Sequence, residues 1–270
     1  MTGRWAMPVG VPSRRAALHS LAALSLSACT GLPLMTPPLT RHIESRLHLA
    51  QPGQRAPTLL ILLPGAYDGP ADFERQGFVD AVRARGLAAD VQLVDAHAGY
   101  YTAQRIVEQL HTDVLQPARA AGHAQVWLCG ISLGGYGALL TAREHGPLID
   151  GMFTMAAFLG RRDLPAAIAQ AGGLAAWPGE LEGADVHDLA LWRWLRGYAT
   201  PPEAARRPRL FMGWGEDDRF VMSNRLVAAT LPPSQVLTTS GGHQWAPWKR
   251  LWARFLDRAP WADPRTTPRD

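Results

Sequence analysis

The sequence predicts an α/β protein with a mostly parallel sheet that helices cover on both faces. The main observation is that short apolar runs alternate with segments of helical periodicity along most of the chain. Of its 270 residues, 47% are hydrophobic and 19% charged, which excludes a disordered chain. This length suits one large domain or two small ones.

The elements follow in order. Apolar and polar residues alternate from Ile43 to Leu49, which predicts a half-buried first strand. Short apolar runs predict the other strands, at 59–63, 91–94, 126–129, 152–157, 209–213 and 236–239. The segments between them predict helices at 72–85, 102–121, 133–145 and 224–231. A broad apolar face predicts the last helix, at Trp248, Leu251, Trp252, Phe255 and Leu256.

The alternation breaks between Gly160 and Pro208, where glycine and proline pairs accumulate. We interpret this stretch as a cap inserted into the domain of residues 43–260, with a second small domain as the alternative. Residues 261–270 are expected to form a C-terminal tail. It contains an aromatic cluster at Trp192, Trp194 and Tyr198. The cluster is a candidate wall for an apolar acyl pocket, or else the core of the cap itself.

The first 28 residues have the composition of an export signal. Ser13-Arg14-Arg15 precedes an apolar run, and the run ends in the tetrapeptide Leu26-Ser-Ala-Cys29. This resembles the lipobox of bacterial lipoproteins, which implies lipidation of Cys29, a tether over 29–42 and attachment to a bacterial membrane. In a Gram-negative organism, the anchor would lie in the outer membrane or face the periplasm. The alternative is an N-terminal arm with a chance cysteine. The arginine pair leaves the export route open between the general secretory and the twin-arginine pathway.

The charge balance and the cysteine content limit the classes of partner that we expect for this protein. The pI is about 9.5, but Arg4, Arg14 and Arg15 lie in the signal, and the remainder carries 24 basic and 23 acidic residues. We therefore expect no nucleic-acid partner. We also expect no metal and no cofactor, because neither metal-ligand spacing nor a phosphate loop occurs. Cys129 lies in an apolar run and is expected to pack as a small hydrophobic residue.

The chemical signal is a serine between a strand and a helix. Gly130-Ile131-Ser132-Leu133-Gly134 fits the pattern G-x-S-x-G, directly after one apolar strand and before a glycine-rich helix. A sharp strand-to-helix turn needs small neighbours and exposes the serine hydroxyl at the carboxyl end of the sheet. A serine hydroxyl needs a base, and the base needs an orienting group.

Two later strand ends offer those groups. Asp217 and Asp218 follow the strand at 209–213, and His243 follows Gly241-Gly242 after the last strand. The chain order of serine, acid and histidine resembles the α/β-hydrolase superfamily, over roughly residues 43 to 256. The resemblance implies that Ser132, Asp218 and His243 form a catalytic triad, with Asp217 as the second choice for the acid. Helix capping is the alternative role for the two aspartates.

The same resemblance implies an oxyanion hole. Its two amides would belong to Leu133 and to Ala66, in a turn that resembles the family's H-G-x turn with Pro64 in place of histidine. Tyr67 is the second choice for the amide and a candidate pocket residue. Further candidates for the pocket are His97 and Tyr100, which follow the strand at 91–94, and loop packing is the alternative role of His97.

These expectations together imply a serine hydrolase, most simply a carboxylesterase for small or medium apolar esters. The mechanism would pass through an acyl-enzyme. Other triad chemistry, such as thioesterase or peptidase activity, and a non-catalytic lipoprotein that binds a ligand are the alternatives. The natural substrate and the oligomeric state are open.

Overall fold

The computed structural model describes residues 37–262. Within them, seven strands form one sheet in the order β1-β3-β2-β4-β5-β6-β7. All neighbouring pairs are parallel except β1 with β3. The expected α/β class with a mostly parallel sheet is confirmed. The strands are β1 Ser45–His48, β2 Thr58–Leu63, β3 Ala89–Val94, β4 Gln125–Ile131, β5 Gly151–Met155, β6 Arg209–Gly215 and β7 Val236–Thr239.

Helices connect the parallel strands, as parallel pairing requires. The nucleophile candidate Ser132 lies between β4 and the thirteen-residue helix α6. The helices are α1 Pro70–Arg75, α2 Phe78–Arg83, α3 Ala98–Thr102, α4 Ile106–Leu110, α5 Gln116–Ala120, α6 Leu133–His145, α7 Asp163–Gln170, α8 Val186–Arg196, α9 Pro201–Ala204, α10 Val221–Ala228 and α11 Trp245–Arg258.

The core lies on both faces of the central strands. Every residue of β2, β4 and β5 is buried, which explains why these strands read as continuous apolar runs. On one face, α11 contributes Phe255, which stacks on Phe153 at 4.2 Å between ring centroids. Cys129 is fully buried in β4, and burial raises the pKa of its thiol, so it packs as expected.

Two expected helices are broken in the structure. The segment 72–85 forms α1 and α2, because Gly77 between them has a left-handed backbone with φ of 75°. The segment 102–121 begins only after Gln104, another left-handed residue with φ of 56°. It then continues as α4, a π-helical turn at His111–Leu115 and α5. Apolar periodicity locates a helical segment but does not reveal single residues that break its hydrogen bonding.

The stretch expected to be a cap is helical and lies between β5 and β6. It consists mainly of α7, α8 and α9. The Tyr136 hydroxyl on α6 donates to Asp188 Oδ1 on α8 at 2.9 Å. The insertion is therefore joined to the helix that follows Ser132.

The packed region is longer at both ends than expected. Leu39, in the expected tether, packs against the core, and the Thr40 hydroxyl lies 2.8 Å from Tyr100 Oη. Trp261, expected in a C-terminal tail, is buried with its ring centroid 5.8 Å from that of Trp127. Cys29, the expected signal peptide and residues 263–270 of the tail lie outside the described residues. Between residues 37 and 262, no helix has the length and apolar character needed to span a membrane.

Candidate active site

Ser132 sits at a strained turn between β4 and α6. Its φ of 52° and ψ of −112° define a backbone conformation that residues other than glycine rarely adopt, at a cost of about 1–3 kcal/mol. Backbone hydrogen bonds hold the turn, because Ser132 N donates to Met155 O at 2.9 Å and Phe158 N donates to Ser132 O at 3.0 Å. The expected strand-to-helix elbow is therefore present, and the end of β5 fixes it.

Two glycines of the motif are required by close backbone approaches. A methyl group on Gly130 would lie 2.3 Å from the carbonyl oxygen of Gly134. A methyl group on Gly134 would lie 2.1 Å from the carbonyl oxygen of Leu63, at the end of β2. Both distances are far inside van der Waals contact, so the G-x-S-x-G pattern here reflects packing of α6 against two strand ends.

The structure brings Ser132, His243 and Asp218 together. His243 Nε2 lies 2.9 Å from Ser132 Oγ, and His243 Nδ1 lies 2.9 Å from Asp218 Oδ2. The Asp218 side chain is fully buried, whereas Asp217 is exposed. An ionised carboxylate only accepts hydrogen bonds, so the proton of a neutral imidazole belongs on Nδ1 and Nε2 accepts from the serine hydroxyl.

Local contacts fix the acid and the base. Phe220 N donates to the second oxygen of Asp218 at 2.8 Å, which leaves Oδ2 for the histidine. The His243 ring lies between two aromatic rings that meet it edge to face, Phe220 at 5.1 Å and Trp248 at 5.0 Å between centroids. Gly241, with φ of 98°, shapes the loop that delivers the imidazole.

The loop after β2 passes beside the serine. A methyl group on Gly65 would lie 3.9 Å from Ser132 Cβ, so the next residue, Ala66, follows a backbone that borders the nucleophile. Leu133 is the first residue of α6, and the N–H groups of a first helical turn have no acceptor within the helix. The two expected oxyanion amides thus belong to backbone segments on either side of Ser132.

The expected pocket residues divide by exposure. Tyr67, which follows Ala66 in the loop after β2, is 81% exposed. His97 and Tyr100 are buried, and His97 Nδ1 accepts from Gly99 N at 3.2 Å as the cap of α3. Their rings lie 4.6 Å apart between centroids within this loop, and loop packing was the alternative role of His97.

Two of the three members of the insertion's aromatic cluster, Trp192 and Tyr198, belong to the core, and Trp194 is half-buried. Trp192 is fully buried, and its indole N–H donates to Leu159 O at 2.9 Å. Trp194 meets the ring of buried Tyr198 edge to face at 5.5 Å between centroids. The expectation that Trp192 lines an acyl pocket is therefore corrected, because no part of its side chain reaches solvent.

Three residues near the triad were missed from sequence. Phe158 and Phe220 are half-buried and lie edge to face at 5.6 Å, and Phe220 in turn contacts His243. Asp68 is half-buried in the loop after β2. Neither a phenylalanine after a strand nor an aspartate in a glycine-rich turn is a distinctive pattern, so only the packing identifies them.

In the described part of the chain, no group of three or more His, Cys, Asp or Glu side chains could hold a metal ion. The chemistry available at this edge of the sheet is that of a buried acid, an imidazole and a serine hydroxyl in hydrogen-bonded series. Such a series activates a hydroxyl for nucleophilic attack.

The fold defines a class. The sheet order, the strained serine after β4 and the helical insertion before β6 are those of the α/β-hydrolase fold, and solved structures of that class superpose on the chain. No protein-family model and no curated protein matches the sequence.

The similar solved structures are distant in sequence. Est1E from Butyrivibrio proteoclasticus superposes with a TM-score of 0.56 and 13% identity, covering 81% of this chain and 93% of that one. The S-formylglutathione hydrolase FrmB from Staphylococcus aureus gives 0.54 and 14%, covering 82% and 98%. MPT51 (FbpC1) from Mycobacterium tuberculosis gives 0.53 and 16%, covering 80% and 91%. At these identities the likeness concerns the fold.

Proposed function

We propose that this protein is a serine hydrolase that cleaves carboxylic esters through an acyl-enzyme. The observation that carries the proposal is the unbroken hydrogen-bonded series from Ser132 through His243 to Asp218, with both distances at 2.9 Å. The solved structures with the same fold include proteins described as an esterase and a hydrolase, which supports this class. The fold alone would not be sufficient for the proposal, because one scaffold hosts many reactions.

In the proposed reaction, Ser132 Oγ attacks the ester carbonyl carbon while His243 Nε2 takes the hydroxyl proton. Asp218 stabilises the imidazolium that forms. The negative charge on the carbonyl oxygen is held by the amides of Leu133 and Ala66. The alcohol then leaves with the proton from His243, and water, deprotonated by the same imidazole, releases the acid and restores Ser132.

The apolar part of the substrate is proposed to meet Phe158 and Phe220. Both rings are half-buried, and the ring of Phe220 touches His243 edge to face. Phe158 N donates to Ser132 O at 3.0 Å, so the side chain of Phe158 extends from backbone that contacts the nucleophile's own residue. This surface favours a small or medium apolar group on one side of the ester.

The test is hydrolysis of p-nitrophenyl esters of graded acyl length by the full chain. Ser132→Ala is expected to lower kcat/KM by about a thousandfold or more, and Ser240→Ala, an exposed serine near the histidine loop, to leave it unchanged. Equal activity of the wild type and Ser132→Ala would contradict the proposed nucleophile. If no ester is cleaved, amides and thioesters become the next substrates to examine.

A second comparison tests the acid. Asp218→Asn keeps the side-chain shape but cannot hold the required imidazole tautomer, so kcat is expected to fall by about 10⁴. Asp217→Asn should change kcat by less than about twofold, because Asp217 is exposed. The opposite ranking of the two variants would assign the role to Asp217.

We further propose that the protein is exported and anchored to a membrane through a lipid on Cys29. The support is the sequence of the first 29 residues, in which arginines, an apolar run and Leu-Ser-Ala-Cys occur in order. Metabolic labelling with a fatty-acid probe in a bacterial host should mark the wild type and not Cys29→Ser. Label retained on Cys29→Ser would contradict the anchor.

A further inference from the structure

A carboxylate that the proposed reaction does not use lies beside the nucleophile. A methyl group on Gly65 would lie 2.8 Å from Asp68 Oδ2 and 3.9 Å from Ser132 Cβ. The carboxylate and the serine therefore border the same small space. Asp68 N donates to Gly65 O at 3.2 Å, which closes the turn that carries Ala66. The carboxylate is thus fixed next to the proposed oxyanion amide.

The groups around Asp68 act on its charge in opposite directions. Burial and the neighbouring Asp72 raise the pKa of the Asp68 carboxyl, and the indole N–H of Trp245 and the charges of His243 and Arg75 oppose that rise. Arg75 forms its ion pair with Asp72. Within residues 37–262, no cationic side chain forms an ion pair with Asp68. A half-buried negative charge therefore faces the site.

This charge has a consequence for catalysis. Negative charge develops on the carbonyl oxygen in the transition state of ester cleavage, and a nearby carboxylate opposes it. A neutral ester meets that repulsion in full. An ester that carries a positive charge near the carbonyl group cancels the repulsion and gains attraction from Asp68. The adjacent residue Tyr67 is 81% exposed, so its aromatic ring is accessible to a cation from solution.

We propose that Asp68 is a specificity-determining residue that selects esters with an ammonium group close to the scissile bond. The inference rests on the proposed hydrolase function and refines its substrate. The ammonium group meets Asp68, which borders Ser132, and the apolar part meets Phe158 and Phe220. The substrate class is an amphipathic cationic ester, with the charge in either the acyl or the alcohol part.

The experiment compares pairs of esters that differ only in replacement of a quaternary nitrogen by carbon. In the first pair, acetylcholine and 3,3-dimethylbutyl acetate, the quaternary nitrogen or its carbon replacement lies in the alcohol part. Betaine methyl ester and methyl 3,3-dimethylbutanoate carry it in the acyl part. For each pair, kcat/KM is measured for the wild type, for Asp68→Asn and for Asp217→Asn. Asp68→Asn is isosteric, and its amide oxygen can still accept from Trp245.

For at least one pair, Asp68→Asn is expected to lower kcat/KM for the cationic ester by about tenfold or more. The same variant should leave the neutral ester unchanged or raise its rate. Asp217→Asn should leave the ratio of kcat/KM for the cationic ester to kcat/KM for the neutral ester unchanged in both pairs, although it also removes one negative charge. A loss confined to the cationic member of a pair excludes structural damage as the cause, since damage would lower both rates.

Two results would overturn the inference. One is an equal change of both members of each pair in Asp68→Asn. The other is an equal effect of Asp217→Asn, which would mean that only the overall charge matters. Both are distinguishable from failure of the proposed function, since in either case the wild type still hydrolyses the neutral esters. A wild type that cleaves none of the four esters and does not react with a fluorophosphonate would reject the hydrolase itself.

Discussion

The triad loops and the inserted helices lie at the same edge of the sheet but are held by different interactions. Backbone hydrogen bonds hold the triad loops, for example Glu216 N to Thr239 O at 2.8 Å and Asp217 N to Gly241 O at 3.1 Å. Side chains hold the insertion, chiefly Asp188 and Trp192. The position of the triad therefore depends on backbone hydrogen bonds, whereas the position of the insertion depends on its side chains, both the buried apolar ones and the polar groups of Asp188 and Trp192.

The largest effect is expected where backbones meet under the nucleophile. Gly134→Ala would set a methyl group 2.1 Å from Leu63 O, and neither backbone segment can move without disturbing β2 or the turn at Ser132. We expect a loss of more than about 3 kcal/mol of unfolding free energy, or no folded protein. Urea unfolding measures this loss.

The control for this variant lies at the other end of α6. A methyl group on Gly146 would lie 3.5 Å from Pro208 Cδ, an ordinary contact, so Gly146→Ala should remain within about 1 kcal/mol of the wild type. Similar stability of the two variants would show that the backbone approach at Gly134 is not what fixes the elbow.

The difference between regions held by backbone contacts and regions held by side chains also explains which features the sequence could predict. The helix at Leu133–His145 and the strand at Val236–Thr239 agree with their predicted bounds, because local pattern and backbone packing coincide there. The close backbone approaches at the serine turn require Gly130 and Gly134, and these glycines can be read directly from the sequence. The turn could therefore be predicted.

Other features depend on packing between distant segments. Nothing in the sequence distinguishes a tryptophan that lines a pocket from one that fills a core, and Trp192 fills the core. The breaks at Gly77 and Gln104 arise from single left-handed residues. Asp68 borders Ser132 only because the loop after β2 folds back towards α6. These features had no local signal that could be read beforehand.

The insertion should be weakened by loss of one carboxylate. Asp188→Ala removes the acceptor of the Tyr136 hydroxyl at 2.9 Å and of Arg161 N at 2.9 Å, which leaves two donors without a partner. We expect a loss of about 2–3 kcal/mol of unfolding free energy. Among the folded molecules, p-nitrophenyl ester hydrolysis should stay within about threefold, since the triad is held separately. Activity that disappears while stability is retained would contradict this separation.

A smaller effect is expected at the start of α8. The Asp185 side chain caps this helix by accepting from His187 N at 2.9 Å and Asp188 N at 3.1 Å, and these donors lower the pKa of its carboxyl. Asp185→Ala should cost about 1 kcal/mol, measured by thermal unfolding. Asp185→Asn retains an acceptor and should recover most of it. A loss as large as that of Asp188→Ala would contradict the assigned cap role.

The smallest effect concerns a pair of stacked imidazoles remote from both regions. His111 and His145 lie 3.9 Å apart between ring centroids, and burial together with the charge of His111 lowers the pKa of His145. The native state thus binds this proton less readily than the unfolded chain. Stability should be full above about pH 6.5 and decline as the pH falls below it.

The measurement is Tm between pH 7 and pH 5 for the wild type and His145→Asn. The variant should lose about 1–2 °C less than the wild type over this range. An identical pH dependence of Tm in the two proteins would show that the stacked pair does not contribute.

The account depends on Ser132 as a nucleophile activated by His243. The most direct measurement is reaction of the folded protein with a fluorophosphonate, followed by mass spectrometry of the modified peptide. We predict one adduct, on Ser132, which forms at least about a hundredfold more slowly in His243→Ala. An adduct on another residue, or none on a protein shown to be folded, would contradict the assignment of this site.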